Sequence, residues 1–409
     1  MRKTIITLLI TLMSAQFVCC SNGNDTQILQ EEQAALQKSL KEKYPFLKLP
    51  ADSITGSEAL APFFEKMRRL PQNRVVSIVH IGDSHIQADM MTEEVRLRLQ
   101  KDFGNAGRGL IFPHRIARSN EPNNIQSSAS GTWQQVSIIS KNRLLEPGVA
   151  TRAIFTADTS AAFNIAVKDY LFNRMTVLAP RGETFYDFCV SGDSGEKCFS
   201  AQSADNTFLF NNLCNTLSLK ITPTADTQKE FRLNGIILQN DTANGILYHS
   251  MGTNGAHFGD YNNSPEFFHQ LADLSADLII ISLGTNEGAA RDITQQIVYD
   301  NALKMIENIR VKHPDTPILL TTPTHNFYQK KYINPRIKIV EEGLLRAAAD
   351  AHCAVIDLYA AGGGNGSCRQ WRAQRLLRAD GVHFTEEGYR LQGDLIYNAI
   401  IDTYIKYAN

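Results

Sequence analysis

The run Val75-Val76-Ser77-Ile78-Val79-His80-Ile81 is apolar and β-branched, and it stops abruptly at Gly82-Asp83-Ser84-His85. A helix-like pattern follows from Asp89 to Lys101. A continuous apolar run with a helix behind it predicts a strand buried on both faces of a parallel sheet. Open α/β sheets do their chemistry at the carboxyl ends of the strands. The turn therefore sets Ser84 at such an edge as a candidate nucleophile, and it places the chain in the α/β class.

The same rhythm returns late in the chain. Strands are expected at Gly245–Met251, Asp277–Leu283, Pro317–Thr322 and Ala354–Leu358, separated by helices near Pro265–Leu274, Asp292–Lys312 and Asn334–Asp350. A final helix runs from Thr385 towards Tyr407. Such alternation predicts a parallel sheet covered on both faces, with right-handed crossovers. Between Leu110 and Ala243 the texture changes to short alternating runs, such as Val136–Ile139, Ala161–Tyr170, Thr207–Phe210, Leu217–Ile221 and Phe231–Gln239, split by turn residues. These read as an all-β domain, sandwich- or jelly-roll-like. The expected organisation is an α/β core of residues 73–109 and 244–409 with a β insert at 110–243. Residues 21–72 form a helical lead-in, and the glycines of Phe103–Leu110 mark the turn out of the first helix rather than a phosphate cradle.

With 409 residues the chain can bury more than one core. Its 41 basic residues are balanced by 42 acidic ones and form no basic stripe with interleaved aromatics, which argues against nucleic acid as a partner. The N-terminus has a secretory pattern: Met1-Arg2-Lys3 is basic, and Thr4 to Val18 is apolar but short for a span. Residues 1–20 are read as a signal, and Cys19 or Cys20 could carry a lipid anchor, which would place the protein in the periplasm or cell envelope. Export permits disulfides. Cys189 with Cys198 and Cys353 with Cys368 are nearest in sequence and are the expected pairs, leaving Cys214. No CxxC or Cys/His cluster has zinc spacing, so neither metal nor cofactor is expected.

Four polar or glycine turns fall at strand ends: Ser84, Gly255, Asn286 and the late loop Ala379-Asp380-Gly381-Val382-His383. A serine hydroxyl needs a base to take its proton, and a neutral histidine suits that task near pH 7. Asp380 stands three positions before His383, a spacing that on one helical turn brings the carboxylate beside the ring, where it can fix the tautomer. Backbone N–H groups of Ser84 and Gly255 and the Asn286 amide are suitable donors for an oxyanion, with Gly252 competing for the glycine role.

These blocks, in this order, resemble the SGNH (GDSL-type) esterases. The resemblance implies a flavodoxin-like three-layer α/β/α sandwich. It also implies a triad of Ser84, Asp380 and His383, with an oxyanion hole of Ser84, Gly255 and Asn286. A β-sandwich between the first and second blocks is similar to the bacterial peptidoglycan O-acetylesterases, which implies an O-acetylated glycan as substrate. Two residues depart from the family pattern: His85 replaces the usual Leu, and Glu287 the usual Asp. Other acetylated polysaccharides or lipids are alternative substrates, and a non-catalytic glycan-binding protein is the alternative class. Gly192-Asp193-Ser194-Gly195 resembles the nucleophile turn of trypsin-like proteases, but no apolar strand feeds it and the order of His, Asp and Ser is wrong. His80 is expected to pack within the sheet, and His325 to line the cleft. Trp133 and its aromatic neighbours suit either a sugar platform or the insert's core.

Overall fold

The computed structural model describes residues 23–49, 53–192 and 195–409, so the proposed signal with Cys19 and Cys20, and the pair Asp193-Ser194, lie outside the described residues. The central sheet has five parallel strands: β1 (Val75–Gly82), β2 (Gly245–Gly252), β3 (Leu278–Ser282), β4 (Ile318–Thr321) and β5 (Ala354–Ile356). Their order is β2-β1-β3-β4-β5. That is the flavodoxin-like order, and it reverses direction between β1 and β3, where such sheets place their ligands. Ser84 follows β1 at that point.

Successive residues of a strand face opposite sides, and the two sides carry different helices. Val76, Ile78, Ile246, Tyr248 and Ile280 share one buried cluster with α1 (Gly23–Lys43), α3 (Met90–Phe103) and α6 (Glu386–Ala408). Val79, Ile81, Leu247, Ile279 and Ile281 share the other with α4 (Gln295–Arg310) and α5 (Arg336–Asp350). The helices start where side chains can satisfy free N–H groups. Thr294 accepts from Ile297 N at the head of α4, and Thr385 from Gly388 N at the head of α6. The helix before α3 is broken: Ser84–Gln87 forms a separate turn, α2, and Asp89 takes a left-handed conformation (φ 59°) before Met90 begins α3.

Residues 109–239 form three antiparallel sheets of four, five and three strands. The second cluster above continues through Leu110, Ile111, Phe163, Val177 and Leu238, so the β region is fused to one face of the central sheet. Trp133 packs edge-on against Phe163 and Phe231, and its Nε1 donates to Ser130 O, so it serves the β core rather than a sugar platform.

Cys189 and Cys198 sit directly opposite in the hairpin Phe188–Gly192 and Gly195–Phe199, and they form a disulfide. The second expected pair does not form. Cys353 is buried on the α4–α5 side of the sheet and Cys368 on the α1–α6 side, so the sheet separates the two thiols. Burial raises both thiol pKa values, that of Cys353 to about 11. Among the described residues, no helix is long and apolar enough to cross a membrane.

Candidate active site

β1 ends in a glycine because the next turn folds back onto it. A Cβ on Gly82 would lie 2.2 Å from Ile86 Cγ1 and 2.7 Å from Ser282 O. Asp83 then caps α2: its Oδ1 accepts from His85 N at 2.9 Å, and its carbonyl accepts from Gln87 N at 3.0 Å. Ser84 is the first residue of this turn and is half-buried at the sheet edge.

His383 comes 299 residues later in the chain, yet its Nε2 lies 2.9 Å from Ser84 Oγ. Its Nδ1 lies 3.1 Å from Asp380 Oδ2. With Nδ1 facing a carboxylate, the ring's proton sits there, so Nε2 accepts from the serine hydroxyl. The sequence reading placed Asp380 and His383 on one helical turn. They lie instead in a non-helical bend ahead of α6. Asp380 Oδ1 accepts from both Val382 N (2.8 Å) and His383 N (2.9 Å), and Gly381 supplies the left-handed step (φ 78°) that lets the chain curl round the carboxylate. Burial alone would raise the Asp380 pKa. The N–H groups of Val382 and His383 and the ring N–H outweigh it, and hold the carboxyl below the usual range.

The two remaining blocks converge on the same edge. Asn286 is half-buried, and its Nδ2 donates to Ala256 O at 2.9 Å with Asp83 Oδ2 at 3.4 Å. It therefore links the third block to the second and the first. Gly255 lies at an exposed loop tip next to Ala256, with φ 80°. Gly252 is buried at the end of β2, where a Cβ would meet Asp83 O at 2.5 Å and Gln87 N at 2.8 Å.

Three other histidines near the sheet edge make their hydrogen bonds to groups other than Ser84. His85 is buried, its ring 5.4 Å from that of His383, with Nδ1 3.2 Å from Tyr389 Oη. Burial, aided by the neighbouring His383, pushes its pKa down to about 3. His80 lies within the sheet between Tyr248 Oη (2.7 Å) and Ser282 Oγ (2.6 Å). His325 uses both ring nitrogens to hold loops, with Gly366 N at 2.7 Å and Asn334 O at 3.1 Å.

Several contributors were missed in the sequence. Asp83 is fully buried, and burial raises its pKa to about 7. Tyr261 Oη donates to Gly82 O at 2.6 Å. Glu287 Oε1 accepts from Phe258 N at 2.8 Å, so its departure from the family's Asp ties the third block to the helix after the second. Gln87 bonds Asn254 N at 2.6 Å. Its spacing from Ser84, one helical turn, was the only available signal.

The GDSL-like lipase/acylhydrolase family model matches residues 237–391. No curated protein matches the chain. Among solved structures, a peptidoglycan O-acetylesterase aligns with a TM-score of 0.73 at 22% identity, covering 85% of this chain and 97% of that one. A lipase/acylhydrolase from Enterococcus faecalis aligns at 25% identity over 38% of this chain and 76% of its own, with a TM-score of 0.31. The salicylyl-acyltransferase SsfX3 of a tetracycline biosynthetic pathway aligns at 15% identity over 68% and 96%, also with a TM-score of 0.31. At 22% identity the first likeness is one of fold, and it extends across the parallel core and the β region alike. The family match covers residues 237–391, which hold the second, third and fourth blocks, and the fold likeness carries the same architecture across the rest of the chain.

Proposed function

We propose that this is an exported serine esterase that removes O-acetyl groups from glycan, with cell-wall peptidoglycan as the substrate, through a triad of Ser84, His383 and Asp380. The observation that carries the triad is the unbroken hydrogen-bonded line from Ser84 Oγ to His383 Nε2 (2.9 Å) and from His383 Nδ1 to Asp380 Oδ2 (3.1 Å). His383 takes the hydroxyl proton as Ser84 Oγ attacks the acetyl carbonyl, and Asp380 stabilises the imidazolium. The oxyanion accepts hydrogen bonds from the N–H groups of Ser84 and Gly255 and from Asn286 Nδ2. One hydrogen of that amide is engaged by Ala256 O, and the other is loosely held by Asp83 Oδ2, with 3.4 Å between Nδ2 and Oδ2. His383 then protonates the sugar oxygen as it leaves, an acetyl-serine remains, and water activated by the same ring releases acetate.

The peptidoglycan reading draws on the fold shared with a peptidoglycan O-acetylesterase across both regions of the chain. Export draws on the basic and apolar pattern of residues 1–18. The test is acetate release by the mature chain from a chromogenic acetate ester and from O-acetylated peptidoglycan. Full activity in Ser84→Ala would refute the mechanism. Activity on the ester with none on any acetylated glycan would refute the substrate.

A further inference from the structure

The loop that carries Gly255 is not held by the parallel core alone. Gln87, one turn after Ser84 on α2, is buried, and its side-chain amide has three partners. Its Oε1 accepts from Asn254 N at 2.6 Å and from Arg152 Nη2 at 3.2 Å, while its Nε2 donates to Ser119 Oγ at 2.5 Å. Two donors converge on the oxygen and an acceptor meets the nitrogen, so the amide has one orientation and cannot turn over without losing all three. Two of the three partners, Ser119 and Arg152, belong to the β region.

Two further oddities of the β region point at the same loop. Arg96, Arg108 and Arg152 are the buried arginines among the described residues. Arg96 and Arg108 share Asp89, whereas among the described residues Arg152 has no carboxylate partner and its Nε has no hydrogen-bond partner. A buried guanidinium without a counter-ion is costly and calls for a reason. Here its side chain donates to Gln87, and a charged donor makes that bond stronger than a neutral one would. The residue before it, Thr151, is β-branched yet left-handed (φ 62°), a strained conformation that has to be imposed by its surroundings. Its hydroxyl donates to Ala150 O and so receives the hydrogen of Thr253 Oγ1 at 2.8 Å. Thr253 and Asn254 are the two residues before Gly255.

We propose that Gln87, locked by Arg152 and Ser119 of the inserted β region and assisted by Thr151, is a positioning residue that aims the Gly255 N–H at the oxyanion. The insert then takes part in the reaction step through the 253–255 loop, apart from any role in substrate capture. This rests on the esterase reading above. Because the donors act only on developing negative charge, loosening them lowers kcat and leaves KM nearly unchanged.

Three variants and two readouts test it. Gln87→Leu removes every bond of the amide, and Arg152→Ala removes the charged lock. Gln87→Glu keeps an acceptor for both Asn254 N and Arg152. Expected are a kcat loss of about 10- to 100-fold in Gln87→Leu, short of the roughly 100- to 1,000-fold typical when a donor is deleted outright. KM should stay within about threefold, Gln87→Glu should recover most of the rate, and Gln87→Leu/Arg152→Ala should be no worse than the poorer single variant. Amide exchange at Asn254, which needs no substrate, should accelerate in Gln87→Leu with the melting temperature of the core retained. Wild-type kcat in Gln87→Leu, or Gln87→Glu as impaired as Gln87→Leu, would overturn the proposal. So would unchanged exchange at Asn254. An inactive wild type with faster Asn254 exchange in Gln87→Leu would instead reject the esterase reading and leave the clamp standing.

Discussion

Replacing Asp380 by Asn tests the proposed triad most sharply, because the structure fixes how the amide must sit. Asp380 Oδ1 is engaged by two backbone N–H groups, those of Val382 and His383, and Oδ2 faces His383 Nδ1. An asparagine keeps the two backbone bonds only by presenting its NH2 to Nδ1. That choice makes Nδ1 an acceptor, moves the ring proton to Nε2, and leaves no base for Ser84. Turning the amide over restores the right tautomer but sets NH2 against two N–H donors, at a cost of about 1–3 kcal/mol. The imidazolium formed during attack also loses its counter-charge. At 3.1 Å Coulomb's law gives about 1 kcal/mol at the dielectric of water and about 5 kcal/mol at an effective value of 20. The two side chains keep 36% and 41% of their exposure, so solvent screening places this contribution in the lower half of that range.

Together the two effects amount to roughly 2–6 kcal/mol, or about a 30-fold to 10⁴-fold loss in kcat. KM for a small acetate ester should barely change, since Asp380 reaches the substrate only through His383. Steady-state kinetics on such an ester, with circular dichroism to confirm the fold, gives the answer. A loss below about fivefold would refute the reasoning, since it would mean that neither the tautomer nor the counter-charge depends on Asp380.

Other expectations follow from single features. Ser84→Ala should abolish acetate release with little change in melting temperature, as measured by kinetics and calorimetry. Asp83 has a native pKa raised by burial to about 7, above its unfolded value near 3.8, so the native state holds the proton more tightly. That stabilisation is complete below the unfolded pKa and is lost as pH climbs through 7; Asp83→Asn, which cannot ionise, should therefore raise the melting temperature at pH 8 relative to wild type, and less so at pH 4. An equal effect at both pH values would show that ionisation of Asp83 is not the cause. The Cys189–Cys198 bridge closes a loop of sequence separation 9, for which chain entropy gives about 2.5 kcal/mol. Replacing both cysteines by alanine should lower the unfolding free energy by that order while esterase kcat stays within about twofold, because the hairpin touches none of the proposed site residues.

What could be read from the chain and what could not divides along physical lines. β1 and β3 are continuous apolar runs, and their burial on both faces is written into composition alone. The pairing of Ser84 with His383 was legible from the order of short motifs, although nothing local connects them. The break at Asp89 was not, since its left-handed turn is stabilised by contacts with Thr92, Arg96, Arg108 and Ser250 rather than by a breaker residue. Within the β region the strand Arg152–Thr156 went unseen because all five residues are buried and no alternation marks it. The pairing of Cys353 with Cys368 failed because proximity in sequence says nothing about which side of a sheet a side chain occupies. Gln87, Thr151 and Arg152 escaped for a related reason: each is ordinary in its own segment, and only the meeting of two regions gives them a shared partner.

The two glycines of the second block show why geometry has to decide between residues of one kind. Gly82 and Gly252 are register partners at the ends of adjacent parallel strands, and α2 rests on both. A Cβ on either would collide with α2, at Ile86 from one side and at Asp83 O and Gln87 N from the other. The identity of Gly252 is thus explained in full by the close approach of the serine turn. Gly255 has the opposite surroundings: nothing lies within 4 Å of the Cβ it lacks, and its φ of 80° is what a glycine permits. Packing gives no reason for a glycine there; the left-handed backbone conformation does. The same α2 that presses on Gly252 carries Gln87, which holds Asn254. A displacement of α2 would therefore carry the serine and, through Gln87 and Asn254, the loop of its proposed oxyanion donor together.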